Sequence, residues 1–370
     1  MASRVVIAGG GTAGHVIPGL ALAGVLRERG HDVSFVGTAQ GVEARLVTEA
    51  GFDFHAVPAK PFARKISWGA VKAPFVALRA ASRAREVVRG ADAIVGMGGY
   101  VSVSAVLGAR RERVPAVLHE QNAIPGLANR ALARLARAVA LSFRDARRYF
   151  PRRVRIELTG NPVRPEILRV TEDREALAKE GREFLELEDG RKTIVIFGGS
   201  QGALHLDRAA VGACRLLGPR ADLQVVLITG PAHLEAIRRA VPQSGGGLAA
   251  RLLGYVDRME LAYACADLVV CRSGATTIAE ITACGLPSLL VPYPYATHGH
   301  QEANARALQR AGGAAVLLDD QLSSDSLAAR IESLVDHEER LRAMAERARA
   351  FGRPDASARL ADLVEEVAAA

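Results

Sequence analysis

The sequence predicts an α/β protein of two domains, each built around a parallel β-sheet. Its 370 residues are typical of two domains. Short apolar runs alternate with longer helix-patterned stretches, which indicates parallel sheets covered by helices. Val5–Gly14 and Ile194–Ala203 also share one layout, in which an apolar strand and a double glycine lead into a small-residue turn and a helix.

Eight apolar runs are predicted to form buried strands. They are Val5–Ala8, Val33–Val36, Ala93–Val95, Ala116–Leu118, Thr193–Phe197, Gln224–Thr229, Leu268–Cys271 and Ser288–Val291. Because both halves open with the same strand–glycine–helix unit, both are predicted to be Rossmann-like. The segment GNPVRP at Gly160–Pro165 marks the boundary. The predicted domains are residues 1–163 and 164–340, followed by a helical segment, 341–370, that can pack back on the first domain.

The charge is distributed unevenly between the two halves. Residues 1–160 hold 24 Lys+Arg and 11 Asp+Glu, whereas the whole chain has a net charge of only +8. A basic half indicates a polyanionic partner, either nucleic acid or an anionic membrane. The chain has one Trp and six Tyr, too few aromatic residues to interleave with the basic ones and stack on bases, so nucleic acid is not expected.

Cysteine usage and hydropathy predict a cytosolic chain. The four cysteines have neither CxxC nor zinc-site spacing, so they are expected to be reduced thiols. Arg4–Gly9 already forms a predicted strand and glycine turn, so no signal peptide is expected. The uncharged run Ala93–Ala109 contains four glycines and is predicted to form a strand, a loop and a helix start, not a transmembrane helix. Any membrane contact is therefore expected to be peripheral.

Three glycine-rich loops follow predicted strands, at Gly9–Gly14, Gly96–Gly99 and Gly198–Gly202. The first satisfies GxGxxG, the dinucleotide-binding pattern. That pattern also needs an acidic residue at the end of the second strand, and Phe35–Thr38 has none, so a nicotinamide cofactor is not favoured. The loops instead predict backbone N–H groups close to an anionic ligand at the carboxyl ends of the sheets.

A fourth motif, Arg272–Glu280, follows the strand Leu268–Cys271 and opens a helix. Its small residues Gly274–Thr277 leave backbone amides accessible to a phosphate. Glu280 lies about one turn into the helix, where it can accept hydrogen bonds from two ribose hydroxyls. The alternative is that Glu280 only complements the helix dipole, an effect of about 0.3–1 kcal/mol.

The polar run His119–Asn122 lies at a predicted strand end, which indicates either a binding site or an ordinary polar loop. His298 and His300 suggest a metal, but no third ligand lies nearby in the sequence, so no metal site is predicted. The sequence has no Asp-x-Asp motif for a Mg²⁺-bound diphosphate. Helix dipoles and basic side chains are expected to stabilise any diphosphate.

The segment Lys60–Arg89 is predicted to face an anionic membrane. It holds eight Lys+Arg and one acid, Glu86. Apolar residues are interleaved with the basic ones, among them Phe62, Ile66, Trp68, Val71, Phe75 and Leu78. The alternative is an amphipathic helix that packs on the sheet.

Together these features resemble the MurG family of peptidoglycan GlcNAc-transferases over nearly the whole chain. The motifs that carry the resemblance are GGGTAGHVIPGLALA, GMGGYVS, HEQNAIPGLANR, TGNPVR, FGGSQGA, CRSGATTIAE, GLPSLLVPYPYA and HQEANA. The resemblance implies a GT-B glycosyltransferase with two Rossmann-like domains facing a cleft. It also implies inverting, metal-independent transfer of GlcNAc from UDP-GlcNAc to O4 of a lipid-linked muramyl-pentapeptide, without a cofactor. The enzyme would be peripheral, on the cytoplasmic face of the cell membrane.

The resemblance implies a set of contacts to UDP-GlcNAc. They involve Thr12, Ala13, Gly14, Asn122, Arg164, Ser200, Val256, Ala275, Thr276, Thr277, Ile278, Ala279, Glu280 and Gln301. Asn122 would contact the sugar, Arg164 and Ser200 the diphosphate, Val256 the uracil, Glu280 the ribose and Gln301 the GlcNAc hydroxyls. The acceptor and membrane side would involve Lys65, Ile66, Trp68, Phe75, Gly98, Gly99 and Tyr100. Two segments, Leu204–Asp207 and Ala296–His300, depart from the family pattern.

His15 is the first candidate for the catalytic base, because it lies at the start of the first predicted helix. The positive end of the helix dipole favours a neutral imidazole, which can accept a proton. His15 can instead cap the helix or position the acceptor diphosphate, and His119 and Glu120 are the rival bases. Two other functions stay open: another GT-B enzyme, such as a UDP-GlcNAc epimerase or glycolipid synthase, and a non-enzymatic nucleotide-sugar-binding membrane scaffold.

Overall fold

Two compact units make up the computed structural model, which describes residues 2–58, 82–199, 202–238 and 247–370. One unit comprises Met1–Arg164 and Pro354–Ala370, and the other comprises Pro165–Arg353. Each unit contains a parallel sheet flanked by helices. The predicted α/β class with two Rossmann-like domains is therefore confirmed.

The described residues of the first unit form a sheet of seven strands. They are β1 (Arg4–Ala8), β2 (Asp32–Gly37), β3 (Asp53–Ala56), β4 (Ala93–Gly96), β5 (Ala116–Glu120), β6 (Ala138–Leu141) and β7 (Ile156–Leu158). Its helices are α1 (Ala13–Glu28), α2 (Val42–Glu49), α3 (the described residues 82–88), α4 (Gly99–Glu112), α5 (Leu127–Leu132) and, from the end of the chain, α15 (Ala356–Ala369). A 3₁₀ helix spans Arg144–Tyr149.

The strands of the first sheet follow the order β3-β2-β1-β4-β5-β6-β7 and are all parallel. Alternate residues of β1 face opposite helix layers, because successive strand side chains point to opposite faces. Val5 and Ile7 pack into one apolar core, and Val6 and Ala8 pack into the other. Strand β1 pairs with β2 on one side and with β4 on the other. The strand order changes direction between β1 and β4, so this is the topological switch point of the sheet.

In the second unit, the part of the chain that the structure describes forms a sheet of six strands. They are β8 (Lys192–Phe197), β9 (Leu223–Ile228), β10 (Ala249–Leu253), β11 (Leu268–Cys271), β12 (Ser288–Leu290) and β13 (Ala314–Val316), in the parallel order β10-β9-β8-β11-β12-β13. Its helices are α6 (Pro165–Glu172), α7 (Arg174–Phe184), α8 (Leu204–Leu216), α9 (Leu234–Arg238), α10 (Met259–Cys265), α11 (Ala275–Ala283), α12 (His300–Arg310), α13 (Ser324–Val335) and α14 (Glu338–Phe351). Here β8/β11 is the switch point.

The last helix, α15, returns to the first unit and completes its core. Leu360, Val364 and Val367 are almost fully buried in the cluster that also contains residues of α1. At the rim, Arg29 donates to Glu365 at 3.0 Å, and His31 Nε2 lies 2.9 Å from the same carboxylate. The crossing point, between Arg353 and Pro354, lies within the helical segment predicted at residues 341–370.

All four cysteines are buried and none forms a disulfide. Burial raises the pKa of the Cys214 thiol to about 12.

Within the described ranges, no helix combines the length and the apolar character needed to cross a bilayer.

Candidate functional site

The two glycine loops of the first unit meet at its switch point. The loop after β1 leads into α1, and the loop after β4 leads into α4. Gly98 and Gly99 have φ values of 103° and 76°, a left-handed conformation that favours glycine. A Cβ on Gly99 would lie 2.8 Å from the carbonyl oxygen of Gly10, so only glycine allows the two loops to approach this closely. The Ser102 hydroxyl of α4 links the second loop to the end of β1, because it accepts from the N–H of Gly98 at 3.0 Å and lies 2.9 Å from the carbonyl oxygen of Ala8.

His15 lies in the first turn of α1 and is half-buried against the second loop. Its Nδ1 is 3.2 Å from the carbonyl oxygen of Gly10 and 3.2 Å from Thr12 Oγ1. A Cβ on Gly98 would lie 3.0 Å from His15 Nε2, so the ring packs directly over that glycine. A carbonyl only accepts hydrogen bonds, so this contact requires a proton on Nδ1. The neutral ring then carries its lone pair on Nε2.

The structure therefore brings several predicted residues together at the ends of β1 and β4. Thr12 is exposed, whereas Ala13, Gly14 and Tyr100 are half-buried. The Tyr100 ring packs beside the first loop, where a Cβ on Gly11 would lie 3.3 Å from its Cε1.

His119 and Glu120 belong to strand β5 itself and are buried. His119 Nε2 lies 2.9 Å from the carbonyl oxygen of Gly160, and burial lowers the pKa of His119 to about 4. Burial also raises the pKa of Glu120, against the effect of the hydrogen bonds that it accepts. Those bonds include ones from the N–H of Asn122 at 2.9 Å, the N–H of Gly126 at 3.1 Å and the side-chain amide of Asn129 at 2.8 Å. Glu120 thus orders the loop that carries Asn122.

In the second unit, α11 begins directly after β11 at the switch point, with Gly274 as its N-cap. Thr276, Thr277 and Ala279 are half-buried, and Ala275 and Ile278 are buried. The first backbone N–H groups of a helix have no partner within the helix and lie at the positive end of its dipole. This helix start is therefore suited to an anionic group.

Glu280 is 5% exposed and accepts a hydrogen bond from the hydroxyl of Tyr263 at 3.0 Å. Tyr263, on α10, is fully buried, and burial together with the charge of Glu280 raises its pKa well above the ordinary value. The phenol therefore stays protonated and holds one carboxylate oxygen in place. Nothing in the sequence singled out Tyr263, because an apolar helix face containing one tyrosine is ordinary core.

Gln301, in the first turn of α12, lies beside the start of α11. Ser273 Oγ donates to the backbone carbonyl of Gln301 at 2.8 Å, and the Gln301 side-chain oxygen accepts from the N–H of Tyr293 at 2.9 Å. Arg272, next to Ser273 in the chain, donates to the Asp319 carboxylate at 2.5 Å. These contacts fix Gln301 relative to the residues predicted to bind the nucleotide.

Gly202 packs against an ionisable pair, Asp207 and His233, that the sequence did not reveal. Asp207, in the first turn of α8, is fully buried, and its Oδ2 lies 3.0 Å from His233 Nδ1. Burial raises the pKa of Asp207 to about 6, against the effect of the His233 contact. A Cβ on Gly202 would lie 2.8 Å from His233 Nδ1, so the pair packs directly against Gly202. Asp207 belongs to one of the segments that depart from the family pattern.

The remaining predicted residues lie elsewhere or outside the description. Arg164 is half-buried and is the last residue of the segment Met1–Arg164, which belongs to the first unit. Val256 is buried in the loop between β10 and α10. Ser200, Lys65, Ile66, Trp68 and Phe75 lie outside the described residues.

The two histidines considered as metal ligands lie at the start of α12. His298 has a left-handed φ of 54°, and burial lowers the pKa of His300. In the described parts of the chain, no cluster of three or more His, Cys, Asp or Glu side chains is placed to hold a metal ion.

Family models match both units of the chain. The glycosyltransferase family 28 N-terminal domain matches residues 5–141, and the family 28 C-terminal domain matches residues 193–360.

Full-length relatives carry one name, UDP-N-acetylglucosamine–N-acetylmuramyl-(pentapeptide) pyrophosphoryl-undecaprenol N-acetylglucosamine transferase. The protein from Halothermothrix orenii is 41% identical, with 99% of each chain covered. That from Acidothermus cellulolyticus is 43% identical, with 99% of this chain and 98% of the relative covered.

A solved structure of a MurG protein is also similar to this chain. The crystal structure of Acinetobacter baumannii MurG matches with a TM-score of 0.80 and 29% identity, covering 98% of this chain and 99% of that one. The UDP-GlcNAc 2-epimerase from Neisseria meningitidis has the same fold at a TM-score of 0.67, covering 98% of this chain and 99% of that one, but only 13% identity. The chain belongs to glycosyltransferase family 28 and, within it, to the MurG family.

Proposed function

We propose that this chain transfers GlcNAc from UDP-GlcNAc to the muramyl residue of undecaprenyl-pyrophosphoryl-MurNAc-pentapeptide, the step from lipid I to lipid II in peptidoglycan synthesis. The observation that carries this function is the identity of 41–43% over essentially the whole length to enzymes of that name. The joined glycine loops and the accessible start of α11 support it, because both suit anionic groups at switch points.

The donor is proposed to bind on the second unit. The start of α11 would receive the diphosphate and stabilise the charge on departing UDP, because its N–H groups lie at the positive end of the helix dipole. Glu280, held by Tyr263 at 3.0 Å, would accept the ribose hydroxyls. Gln301 would contact the sugar, with Asn122 from the first unit.

The acceptor is proposed to bind on the first unit, at the loops that carry His15 and Gly98–Tyr100. The acceptor O4 attacks the anomeric carbon with inversion, and the bond from that carbon to the UDP phosphate oxygen breaks. UDP leaves with the electron pair, and His15 Nε2 takes the proton of O4. Glu120 and His119 are weaker candidates for the base, because both are buried and already bonded to loop backbone.

A turnover assay tests the function. UDP-GlcNAc and lipid-linked muramyl-pentapeptide are expected to yield UDP and a disaccharide-pentapeptide lipid, at the same rate with and without EDTA. Helix dipoles, rather than a divalent ion, are proposed to stabilise the diphosphate. Release of a 2-epimerised sugar nucleotide without any lipid product would indicate an epimerase instead. Activity that is lost in EDTA and restored by Mg²⁺ would contradict metal independence.

The protein is also proposed to bind the cytoplasmic face of the cell membrane peripherally, through Lys60–Arg89. In liposome flotation, binding is expected to need anionic lipid and to weaken with salt. Replacing Lys65, Trp68 and Phe75 together by alanine should lower partitioning at least about tenfold. The basic residue contributes about 1 kcal/mol, or about fivefold, and the loss of two apolar side chains adds to this.

The matched control for flotation removes one basic and one aromatic residue from the second unit. Lys179 and Phe184 on α7 are both exposed, and replacing them by alanine should leave partitioning unchanged. If the triple variant floats as well as the unmodified protein, the membrane-binding surface lies elsewhere.

A further inference from the structure

Glu43 is a buried carboxylate beside the first glycine loop. It lies in the first turn of α2 and is 1% exposed. One oxygen accepts from the N–H and the hydroxyl of Thr38, at 2.9 and 2.7 Å. The other oxygen accepts from the N–H of Gly11 at 3.2 Å. Backbone amides in glycine loops can bind an anionic ligand, but the Gly11 amide is already hydrogen-bonded to the Glu43 carboxylate.

Three glycines make room for this side chain. A Cβ on Gly10 would lie 2.4 Å from the Glu43 carboxylate, one on Gly37 would lie 2.5 Å from its Cγ, and one on Gly41 would lie 2.1 Å from the carboxylate. Burial raises the pKa of Glu43, but hydrogen bonds from Thr38, from its own backbone N–H and from Gly11 lower it more, so the pKa lies below the ordinary value. Glu43 is therefore ionised at neutral pH and held in one position.

The contacts of Glu43 and His15 are made to the same peptide group. The N–H of Gly11 donates to Glu43, and the carbonyl of Gly10, which belongs to the same peptide unit, accepts from His15 Nδ1 at 3.2 Å. A peptide unit is planar and rigid, so its two ends move together. Hydrogen bonds that share a polarisable group also strengthen one another.

We propose that Glu43 is a positioning residue for His15 and acts through the Gly10–Gly11 peptide. The negative charge polarises that peptide and makes the Gly10 carbonyl a stronger acceptor. This fixes the proton of the neutral imidazole on Nδ1, keeps the lone pair on Nε2 and favours the protonated ring after proton transfer. A buried carboxylate that orients a catalytic histidine by direct contact has the same effect. The inference rests on the proposed role of His15 as the base.

Other polar groups face this arrangement from neighbouring elements. Thr12 lies 3.2 Å from His15 Nδ1, and Tyr100 of α4 packs beside Gly11. His119 of β5 interacts electrostatically with His15, and its pKa of about 4 leaves it uncharged near neutral pH. Among these described groups, Glu43 is ionised near neutral pH and can therefore tune His15.

The test replaces Glu43 with glutamine, which keeps the size and an accepting oxygen but removes the charge. In the lipid-acceptor assay, Glu43→Gln should lower kcat about tenfold and leave UDP-GlcNAc affinity unchanged. Without the negative charge the protonated ring is less stable, so the acidic limb of the pH–rate profile should move to lower pH by about 0.5–1 pH unit. Thr38→Val, which removes one hydrogen bond but keeps the charge, is the control and should leave the limb within about 0.3 pH unit.

A measurement on the unmodified protein makes the test independent of the variant's folding. ¹⁵N-labelled histidine in the full chain, with the His15 signals assigned from a His15→Gln sample, should report the tautomer with the proton on Nδ1. Glu43→Gln should reduce its population. An Nε2-protonated ring in the unmodified protein, or an unshifted acidic limb in a folded Glu43→Gln variant, would overturn the proposal.

A double variant separates this inference from the proposed function. If His15→Ala removes the acidic limb, Glu43→Gln should change the residual kcat less than about twofold when it is added to His15→Ala. A full tenfold additional loss would mean that Glu43 acts independently of His15, which overturns the inference alone. If His15→Ala keeps the limb, the assignment of the base fails, whereas the tautomer measurement still decides whether Glu43 orients the ring.

Discussion

Replacing His15 with alanine is expected to lower kcat by at least about 100-fold, because general-base catalysis typically contributes about 10²–10⁴-fold. His15 Nδ1 lies 3.2 Å from the Gly10 carbonyl oxygen, and Nε2 is the ring nitrogen that is proposed to accept the proton of the attacking hydroxyl. UDP-GlcNAc affinity should be nearly unchanged, because the donor is proposed to bind mainly on the other unit. The acidic limb of the pH–rate profile should disappear, since that limb reports protonation of the base.

The control for this variant is His337→Ala, which makes the same change at an exposed residue before α14 and should leave kcat unaltered. Two results would contradict the prediction. If the acidic limb persists, another group is the base. If only the acceptor KM rises, His15 binds the acceptor and takes no part in proton transfer.

The central strands of both sheets can be predicted from sequence because they are buried on both faces and therefore form uninterrupted apolar runs. The eight predicted runs overlap β1, β2, β4, β5, β8, β9, β11 and β12. The strands that were missed lie toward the outside of the sheets, as β3, β6, β7, β10 and β13. Asp53–Ala56 and Ala249–Leu253 were missed because they are partly exposed and include polar residues. This reason does not apply to Ala138–Leu141, which is apolar and buried but only four residues long.

His119 illustrates why the site is harder to predict than the fold. The strand predicted at Ala116–Leu118 extends to Glu120, so His119 and Glu120 lie inside a central strand and not in a loop. His119 contacts Gly160, which is 41 residues away, and the sequence does not indicate such a partner. His15 lies outside the sheet in a glycine loop and first helical turn, whose position follows from the motif itself.

Glu43 and Asp207 could not be predicted as supporting residues, because their partners are also distant in the sequence. Glu43 reaches Gly11 across 32 residues, and Asp207 reaches His233 across 26. Such contacts depend on how strands are ordered and how helices pack on them. Local patterns of apolar residues and glycine carry no information about that order, although they do locate the loops that these residues support.

Replacing Glu280 with alanine is expected to weaken UDP-GlcNAc binding by about 1.5–3 kcal/mol, or roughly 10–150-fold. The carboxylate is proposed to accept charge-assisted hydrogen bonds from the ribose, and such bonds are stronger than neutral ones. The fold should stay intact. Thermal stability should fall, since the Tyr263 hydroxyl, fully buried, loses its acceptor at 3.0 Å.

Tyr263→Phe provides the graded comparison, because it removes the hydrogen bond that holds Glu280 but keeps the charge. UDP-GlcNAc affinity should then fall by about 0.5–1.5 kcal/mol, less than for Glu280→Ala. Calorimetric titration of both variants with UDP-GlcNAc and with UDP measures how much donor affinity each one loses. Circular dichroism checks that both variants are folded. If folded Glu280→Ala binds UDP-GlcNAc as tightly as the unmodified protein, Glu280 does not contact the ribose and only complements the dipole of α11. If both variants lose the same affinity, Tyr263 itself contacts the donor or sets the position of α11.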